Sequence, residues 1–320
     1  MKTALILGVS GQDGAYLSQL LLNKGYNVIG SSRDAQSNSF RNLELLGIFN
    51  DVEKVSISIN DFRSVLQSIN KFKPTEIYNL AGQSSVSLSF DQPVETFESI
   101  VLGNINILES IKFSDNSIKY YNAGSSEIFG NTNISVSEFS VLNPRSPYGV
   151  AKSAAFWQVK NYRETYNILA STGILFNHES PLRKSHFVTA KIIKSVCRIH
   201  YGSKEKLNLG NLDVWRDWGW APEYVELMWK ILQLETSDDF IIATGTTISL
   251  KDFIRYSFEY FNLNWEDHVV IDPLLFRPVD IERGISDITK AKKLLNWEPK
   301  IIGKLLITKL IECEINSKFY

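Results

Sequence analysis

The chain has 320 residues, of which 44% are hydrophobic and 22% are charged, and its formal net charge is −1. This length and composition predict a large buried core, in one large domain with a smaller one packed on it. A net charge so near zero argues against nucleic acid or an acidic membrane as a partner. The two cysteines, Cys197 and Cys313, lack metal-ligand spacing, so no metal site is expected. Because no apolar stretch approaches the roughly 18 residues of a membrane span, and the first apolar run is too short for a signal peptide, we expect a cytoplasmic protein.

The first half of the chain alternates apolar strands with helices. Residues 4–7 form a continuous apolar run that ends in glycine, and leucines at helical spacing follow it as far as Gly25. Repetition of strand and helix in this way predicts an α/β fold with a parallel, doubly wound sheet of the Rossmann type. The same pattern predicts further strands at residues 26–30, 55–59, 76–80 and 119–123, and helices at residues 62–71, 188–199 and 221–232.

A glycine-rich turn joins the first strand to the first helix. Gly8, Gly11 and Gly14 have the spacing G-x-x-G-x-x-G, and Gln12 and Asp13 stand between the last two glycines. Glycines permit a tight turn and a close approach of a diphosphate to the backbone, and the helix N-terminus offers free N–H groups. At the first strand–helix junction of a parallel sheet, this spacing predicts dinucleotide binding.

We therefore assign residues 1–176 to a dinucleotide-binding domain, to which later segments return. Residues 177–320, where the alternation loosens, are assigned mainly to a smaller C-terminal α/β substrate domain. Arg33 and Asp34 follow the second strand, where the choice between NAD and NADP is made. Arg33 can pair with the 2′-phosphate of NADP, whereas the charge of Asp34 would oppose it. The alternative is a solvated Arg–Asp pair, and we expect NADP as the cofactor, with NAD left open.

Tyr148 and Lys152 stand four residues apart and are expected on one face of a helix. A nearby ammonium lowers the pKa of a phenol, so that Tyr148 can exchange a proton with a substrate hydroxyl, and the same lysine can hold the nicotinamide ribose. Ser125, at the end of the fifth strand, can hydrogen-bond the oxygen being oxidised. Glu127 adds a carboxylate that simple alcohol oxidation does not need, but that removal of a carbon-bound proton does. The alternative is that Glu127 caps a helix or faces solvent.

With these motifs the chain resembles the extended short-chain dehydrogenases/reductases. Longer stretches narrow the resemblance: GQDGAYL at residues 11–17, RSPYGVAK at 145–152, GILFNHESP at 173–181, RDWG at 216–219 and FRP at 276–278. In these stretches the chain is similar to the GDP-mannose 4,6-dehydratases. Residues 173–181 are the most specific stretch, because related sugar epimerases usually differ there.

The resemblance implies a reaction in three steps. C4 of the mannose is oxidised, the C5 proton and the C6 hydroxyl leave as water, and the stored hydride returns to C6 to give GDP-4-keto-6-deoxy-mannose. Ser125 and Tyr148 would serve the C4 oxygen, Glu127 would serve C5 and C6, and Lys152 would orient the ribose. The family also implies a homodimer or homotetramer. By the same resemblance, the residues that would contact the GDP-sugar and its phosphates are Asn177, Val188, Lys191, Arg216 and Arg277.

Three alternatives stay open. A GDP-4-keto-6-deoxy-mannose reductase shares the fold and the Ser–Tyr–Lys set, a dehydratase can act on a related GDP-sugar such as a heptose, and a catalytically silent relative can merely bind dinucleotide. The intact stretch at residues 177–181 and the complete catalytic set favour the dehydratase. The family usually has a second arginine where Asp34 stands, and smaller or more polar residues where Trp215 and Trp220 stand. These tryptophans either belong to the core or reshape the sugar pocket.

Overall fold

Twelve strands and twelve α-helices occur in the part of the chain that the computed structural model describes, residues 1–276 and 279–316. In chain order the strands are β1 (Thr3–Leu7), β2 (Asn27–Ser32), β3 (Glu53–Ser56), β4 (Glu76–Asn79), β5 (Lys119–Ala123), β6 (Ala170–Leu175), β7 (Asn177–Glu179), β8 (Leu207–Leu209), β9 (Trp215–Trp220), β10 (Phe240–Ile242), β11 (Thr247–Ser249) and β12 (Val269–Ile271). The helices are α1 (Gln12–Asn23), α2 (Arg41–Leu45), α3 (Phe62–Phe72), α4 (Val86–Asp91), α5 (Pro93–Phe97), α6 (Gly103–Ser114), α7 (Pro147–Tyr166), α8 (Val188–His200), α9 (Ala221–Gln233), α10 (Leu250–Glu259), α11 (Thr289–Leu295) and α12 (Gly303–Asn316).

Seven of these strands form one parallel sheet in the order β10-β6-β5-β4-β1-β2-β3. Helices cover both faces, which explains why residues 4–7 of β1 are all apolar and at most 1% exposed. The strand order reverses between β1 and β4, and such a reversal leaves a crevice beyond the carboxyl ends of the strands. The predicted doubly wound parallel sheet is confirmed, and the predicted strands and helices occur with their ends shifted by a few residues.

The later part of the chain contributes one strand to this sheet and builds two small sheets of its own. β10 pairs with β6, with Phe240 opposite Gly173 and Ile242 opposite Leu175. In the described part of the chain the small sheets have the orders β11-β9-β7 and β12-β8. Helices α8, α10 and α12 pack with them around a second apolar core that contains Phe253 and Phe258.

Helix α7 is the longest of the described helices, with 20 residues, and its beginning is encoded locally. Pro147 occupies the first turn, and the Ser146 hydroxyl accepts a hydrogen bond from the N–H of Gly149. The helix ends at Asn167 in the left-handed conformation, with φ of 55°. Tyr148 and Lys152 therefore lie in its first turns, at the edge of the crevice. Within residues 1–276 and 279–316, no helix is both long and apolar enough to cross a membrane.

Candidate active site

A cavity of about 540 Å³ lies at the crevice beyond the carboxyl ends of the central strands. The predicted site residues in its wall are Asp13, Ser125, Glu127, Tyr148, Lys152, Asn177, Val188, Lys191 and Arg216. The remaining predicted cofactor residues lie on the adjacent turns after β1 and β2 and are not part of this wall: Gly8, Gly11, Gln12, Gly14 and Arg33. Arg277 lies outside the described residues.

The turn between β1 and α1 requires glycine at two positions. Gly8 has φ of 88°, and a Cβ there would lie 3.0 Å from the backbone of Ala81. A Cβ at Gly14 would lie only 2.5 Å from the carbonyl oxygen of Gly8. Helix α1 begins after Gly11, and no described side chain caps its first N–H groups. These donors and the positive end of the helix dipole fit the diphosphate of a dinucleotide.

At the end of β2, Arg33 and Asp34 have different surroundings. The Arg33 side chain is 85% exposed and lies 3.8 Å from the Glu95 carboxylate. The Asp34 carboxylate accepts hydrogen bonds from the Ser37 hydroxyl and from two N–H groups of the following turn, and these bonds lower its pKa. The buried hydroxyl of Ser32 has no hydrogen-bond partner among the described residues. An exposed guanidinium beside an unbonded hydroxyl fits an anionic group on the adenosine ribose.

Ser125, Glu127 and Tyr148 converge at the end of β5. Ser125 caps the 3₁₀ turn Ser126–Ile128, because its Oγ accepts the N–H of Glu127 at 3.3 Å. The Tyr148 hydroxyl forms a hydrogen bond with the Ser125 side chain. Glu127 is half-buried and lines the cavity, so the capping group of this turn is the serine rather than the carboxylate. A hydroxyl, a phenol and a carboxylate on one wall can act on an oxygen and a carbon-bound proton of the same substrate.

The pKa of Tyr148 is raised to about 12, and the expectation of a lowered value is wrong for this structure. Burial is the largest cause, and the Glu127 carboxylate adds to it, whereas the Ser125 hydrogen bond acts in the opposite direction. The Nζ atom of Lys152 donates to the carbonyl of Ala123 at 2.7 Å and lies 5.7 Å from the centre of the Tyr148 ring. Burial also lowers the pKa of Lys152 to about 8. Burial therefore outweighs the Ser125 hydrogen bond and the charge of Arg183, which lower the pKa of the phenol.

Three predicted substrate residues come from neighbouring elements of the later chain. Asn177 opens β7, and Val188 is the first residue of α8. Lys191, nearly one turn further along α8, donates from Nζ to the carbonyl of Asn208 at 2.5 Å. The start of α8 thus presents an apolar contact and a cation on the same side of the cavity.

Arg216 on β9 is held by its surroundings. Its Nη2 atom lies 3.0 Å from the Asp280 carboxylate, and its side chain is only 11% exposed. The next residue, Asp217, is fully buried and accepts hydrogen bonds from the hydroxyls of Thr244 and Ser286. Asp217 therefore fixes the strand that places Arg216 in the cavity wall.

The two unusual tryptophans do not shape the cavity. Trp218 lines it, whereas Trp215 and Trp220 are absent from the described wall. Trp220 is 7% exposed and belongs to the second apolar core. Trp215 is 37% exposed and lies beside Arg283, whose guanidinium carbon is 5.3 Å from the ring centre. The core alternative is correct for Trp220, and a reshaped sugar pocket is not observed.

Sequence reasoning missed several parts of the wall, namely residues 82–87, His178, Arg183 and residues 208–211. Residues 82–87 follow β4 at the carboxyl edge, where ligands bind in such sheets, and this placement was an available signal. Arg183, whose Nε lies 3.3 Å from the Glu179 carboxylate, gave no signal, because its place depends on the turn after β7.

The parallel sheet, its glycine turn and the Tyr148–Lys152 pair on α7 together define an extended short-chain dehydrogenase/reductase. A sequence model described as GDP-mannose 4,6 dehydratase matches residues 5–310. GDP-mannose 4,6 dehydratase 1 of Arabidopsis thaliana is 43% identical, over 97% of this chain and 89% of its own. GDP-mannose 4,6 dehydratase of Homo sapiens is 40% identical, over 98% of this chain and 91% of its own. The chain belongs to the GDP-mannose 4,6-dehydratase family, as the sequence motifs predicted.

Solved structures agree on the fold. DesIV, a dTDP-glucose 4,6-dehydratase from Streptomyces venezuelae with NAD and TYD bound, superposes with a TM-score of 0.87. The two chains are 17% identical, and the match covers 99% of this chain and 98% of the other. At this identity the likeness shows a shared fold.

Proposed function

We propose that the protein dehydrates GDP-mannose to GDP-4-keto-6-deoxy-mannose by internal hydride transfer through a bound nicotinamide cofactor. The observation that carries this proposal is the position of Glu127, which shares one cavity wall with Ser125 and Tyr148 in a chain of this family. Oxidation at C4 requires only the hydroxyl and the phenol, whereas elimination across C5 and C6 requires a further acid–base group.

A bound nicotinamide would supply hydride chemistry, accepting a hydride from C4 and returning it at C6. Tyr148 would take the proton of the C4 hydroxyl, with Ser125 hydrogen-bonded to the same oxygen. A pKa of about 12 disfavours the phenolate, so proton removal needs positive charge close to Tyr148. Lys152, whose pKa is about 8, is mostly protonated at neutral pH and would provide that charge while it holds the ribose.

Glu127 would perform the elimination. Once C4 is a ketone, the adjacent C5–H bond is acidic, and the carboxylate takes this proton. The same group then donates the proton to the C6 hydroxyl, which leaves as water. Proton transfer by a positioned side chain contributes roughly 10²–10⁴-fold to a rate. On return of the hydride to C6, C5 would take up a proton from solvent. Tyr148 would release the C4 hydroxyl proton to solvent, so the protein gains and loses no net proton over the cycle.

The GDP moiety would occupy the end of the cavity formed by the later chain. Lys191 and Arg216 supply the positive charge that suits a diphosphate. Asn177, Val188 and Arg277 complete the set that the family resemblance implies. Residues 1–176 would then mainly hold the dinucleotide, and residues 177–320 would mainly hold the sugar nucleotide.

NADP is the cofactor we favour over NAD. Support comes from the exposed Arg33 and the unbonded Ser32 hydroxyl at the end of β2. Asp34, which would oppose a phosphate, is engaged by its own turn through the hydroxyl and N–H groups that follow it.

We also propose a homodimer or homotetramer. Helix α5 and the π-helical turn Glu98–Leu102 that follows it pack on α7, and all three segments expose apolar side chains. Exposed apolar side chains on segments that pack together fit an interface with a second copy of the chain. These side chains are Val94, Phe97, Leu102, Val150 and Trp157. Sedimentation of the purified protein tests the assembly.

Incubation with GDP-mannose in deuterated water, without added reductant, tests the function. We expect the 4-keto-6-deoxy product by mass and NMR, with deuterium at C5. A protein that instead needs external NADPH and reduces a 4-keto sugar would be a reductase. A larger kcat/KM for a GDP-heptose would reassign the sugar, and dinucleotide binding without turnover of either sugar would leave a silent binding protein.

A further inference from the structure

His178, in the middle of β7, contacts the phosphate-binding turn. Its Nε2 atom lies 2.8 Å from Asp13 Oδ2, and its Nδ1 atom lies 2.8 Å from the carbonyl oxygen of Phe176. Its ring stacks on Tyr224, with the ring centres 4.7 Å apart. The side chain is 9% exposed, so water does not replace these partners. His178 therefore joins α1, β7 and α9 at one point.

Both ring nitrogens of His178 face acceptors. A carbonyl oxygen can only accept, so Nδ1 carries a hydrogen. At Nε2 the choice is between an imidazolium facing a carboxylate and a neutral ring facing a protonated carboxyl. The second oxygen of Asp13 accepts a hydrogen bond from the Gln12 amide at 3.0 Å, which favours the carboxylate.

The pKa values point the same way. Burial alone would raise the pKa of Asp13 and lower that of His178, but their mutual charge and hydrogen bond outweigh it. The pKa of Asp13 is lowered and that of His178 is raised, as an ion pair requires. The other charged or titratable side chains that act on the pair are Arg183, Tyr121, Tyr148 and Tyr224.

Asp13 occupies an unusual place for a carboxylate. It lies in the first turn of α1, between Gly11 and Gly14, where the free N–H groups suit a diphosphate. A negative side chain is favourable at a helix N-terminus by itself, but it would repel an anion bound at the same place. Balancing the charge of Asp13 would remove this repulsion.

We propose that His178 is a positioning residue that stays an imidazolium, balances the charge of Asp13 and ties the phosphate-binding turn to β7. A second tie supports the first: the Gln12 amide donates to the carbonyl of His178 at 3.2 Å and accepts from the Ser180 hydroxyl at 2.7 Å. The cofactor side and the substrate side of the cavity are thus joined through one buried ion pair. This inference rests on the proposed function in that the turn holds a dinucleotide.

Histidine NMR of the cofactor-free protein tests the charge. The chain has four histidines, so their isotope-labelled rings are few enough to assign by substitution. We expect one ring to keep both N–H groups well above the ordinary histidine pKa of about 6.5. That signal should vanish in His178→Gln, and its pKa should fall in Asp13→Asn. A single neutral tautomer of His178 at neutral pH would overturn the proposal, whether or not the protein is a dehydratase.

Dinucleotide affinity tests the balancing role. His178→Gln keeps a donor near Asp13 and removes the charge, so NADP affinity by calorimetry should fall about tenfold or more. Asp13→Asn/His178→Gln should recover most of the loss, because the pair is again neutral. His200→Gln, on the last turn of α8, is the matched control and should change nothing.

The double variant decides between balancing and direct contact. If it binds NADP as weakly as His178→Gln, the histidine acts by touching the cofactor, and the proposal is overturned. Circular dichroism of each variant verifies folding. If a variant does not fold, the histidine NMR spectrum of the unmodified protein still decides whether His178 is charged. A protein that binds no dinucleotide would refute the proposed function instead, while the histidine spectrum would still report on the pair.

Discussion

Glu76 lies at the amino edge of the main sheet and Asp13 lies beyond its carboxyl edge, and each is a largely buried carboxylate. Glu76 is 1% exposed and accepts hydrogen bonds from the Lys2 ammonium and the Tyr26 and Tyr78 hydroxyls. Asp13 is hydrogen-bonded by the Gln12 amide and by His178, and it forms part of a cavity wall.

The difference shows how one sheet separates stability from function. At the amino edge, the charge is enclosed by protein donors, and its bonds contribute to folding. At the carboxyl edge, polar groups such as Ser125, Glu127 and Lys152 face a cavity instead. Substitutions at the two edges should therefore change different measurements.

The largest effect is expected from Glu127→Gln at the carboxyl edge. The change keeps the shape of the side chain and removes its proton transfer, so turnover of GDP-mannose should fall roughly 10²–10⁴-fold. The free energy of unfolding should change by less than about 0.5 kcal/mol, because Glu127 is only half-buried. Steady-state rates and urea titration measure both, with the exposed Glu298→Gln as a control. Near-normal dehydration would remove Glu127 from the mechanism.

Glu76→Ala should lower the stability of the protein and leave its turnover unchanged, the reverse of Glu127→Gln. Two tyrosine hydroxyls and the Lys2 ammonium lose their acceptor, and each unsatisfied buried group costs about 1–3 kcal/mol. We expect the free energy of unfolding to fall by about 2–6 kcal/mol, because two buried tyrosine hydroxyls are left unsatisfied. The kcat and the cofactor affinity should be unchanged in the folded fraction. Glu76→Gln, which retains one acceptor oxygen, should lose less. If Glu76→Ala lost cofactor affinity but kept its full stability, the amino edge would not be reserved for stability, and the contrast between the two edges of the sheet would be wrong.

The Asp13–His178 pair predicts a specific dependence of stability on pH. The raised pKa of His178 contributes stability that is complete below about 6.5 and is lost as pH rises through the folded-state value. The lowered pKa of Asp13 contributes stability that is complete above about 3.9 and is lost as pH falls through its folded-state value. The unmodified protein should thus be more stable than Asp13→Asn/His178→Gln by about 1–2 kcal/mol. The difference should be clearest between about pH 3.9 and about pH 6.5. A difference that does not vary with pH would contradict this assignment.

The smallest effect is expected from Arg33→Ala. Its exposed guanidinium would lose a charge-assisted contact with the 2′-phosphate, so NADP affinity should fall about tenfold while NAD affinity barely changes. Calorimetry with both dinucleotides measures the ratio, and Arg41→Ala on α2 is a matched surface control. Equal affinities of the unmodified protein for NAD and NADP would assign no selectivity to Arg33.

Much of the fold was predictable because buried parallel strands are continuous apolar runs, as residues 4–7 illustrate. Strand β10 was not, since its three residues carry no periodic signal and its partner β6 is distant in sequence. The i, i+4 spacing of Tyr148 and Lys152 is local and places both in the cavity wall.

Other features of the site depend on tertiary structure. Asp13 and His178 are 165 residues apart, and no pattern near either residue predicts their contact. The pKa of Tyr148 follows from burial, which the sequence near the tyrosine does not reveal.

The late arrival of β10 has a consequence for synthesis on the ribosome. Until Phe240–Ile242 emerge, the nascent chain has a main sheet that ends at β6, whose backbone groups from Gly173 to Leu175 lack their partner. At roughly 5–20 residues per second, this edge stays open for about 3–13 s after β6 is made. The glycine turn after β1, an interior strand of the sheet, is complete long before then. The nascent protein therefore passes through a stage with a formed phosphate cradle and an unpaired strand, which is where misassembly or chaperone binding would act.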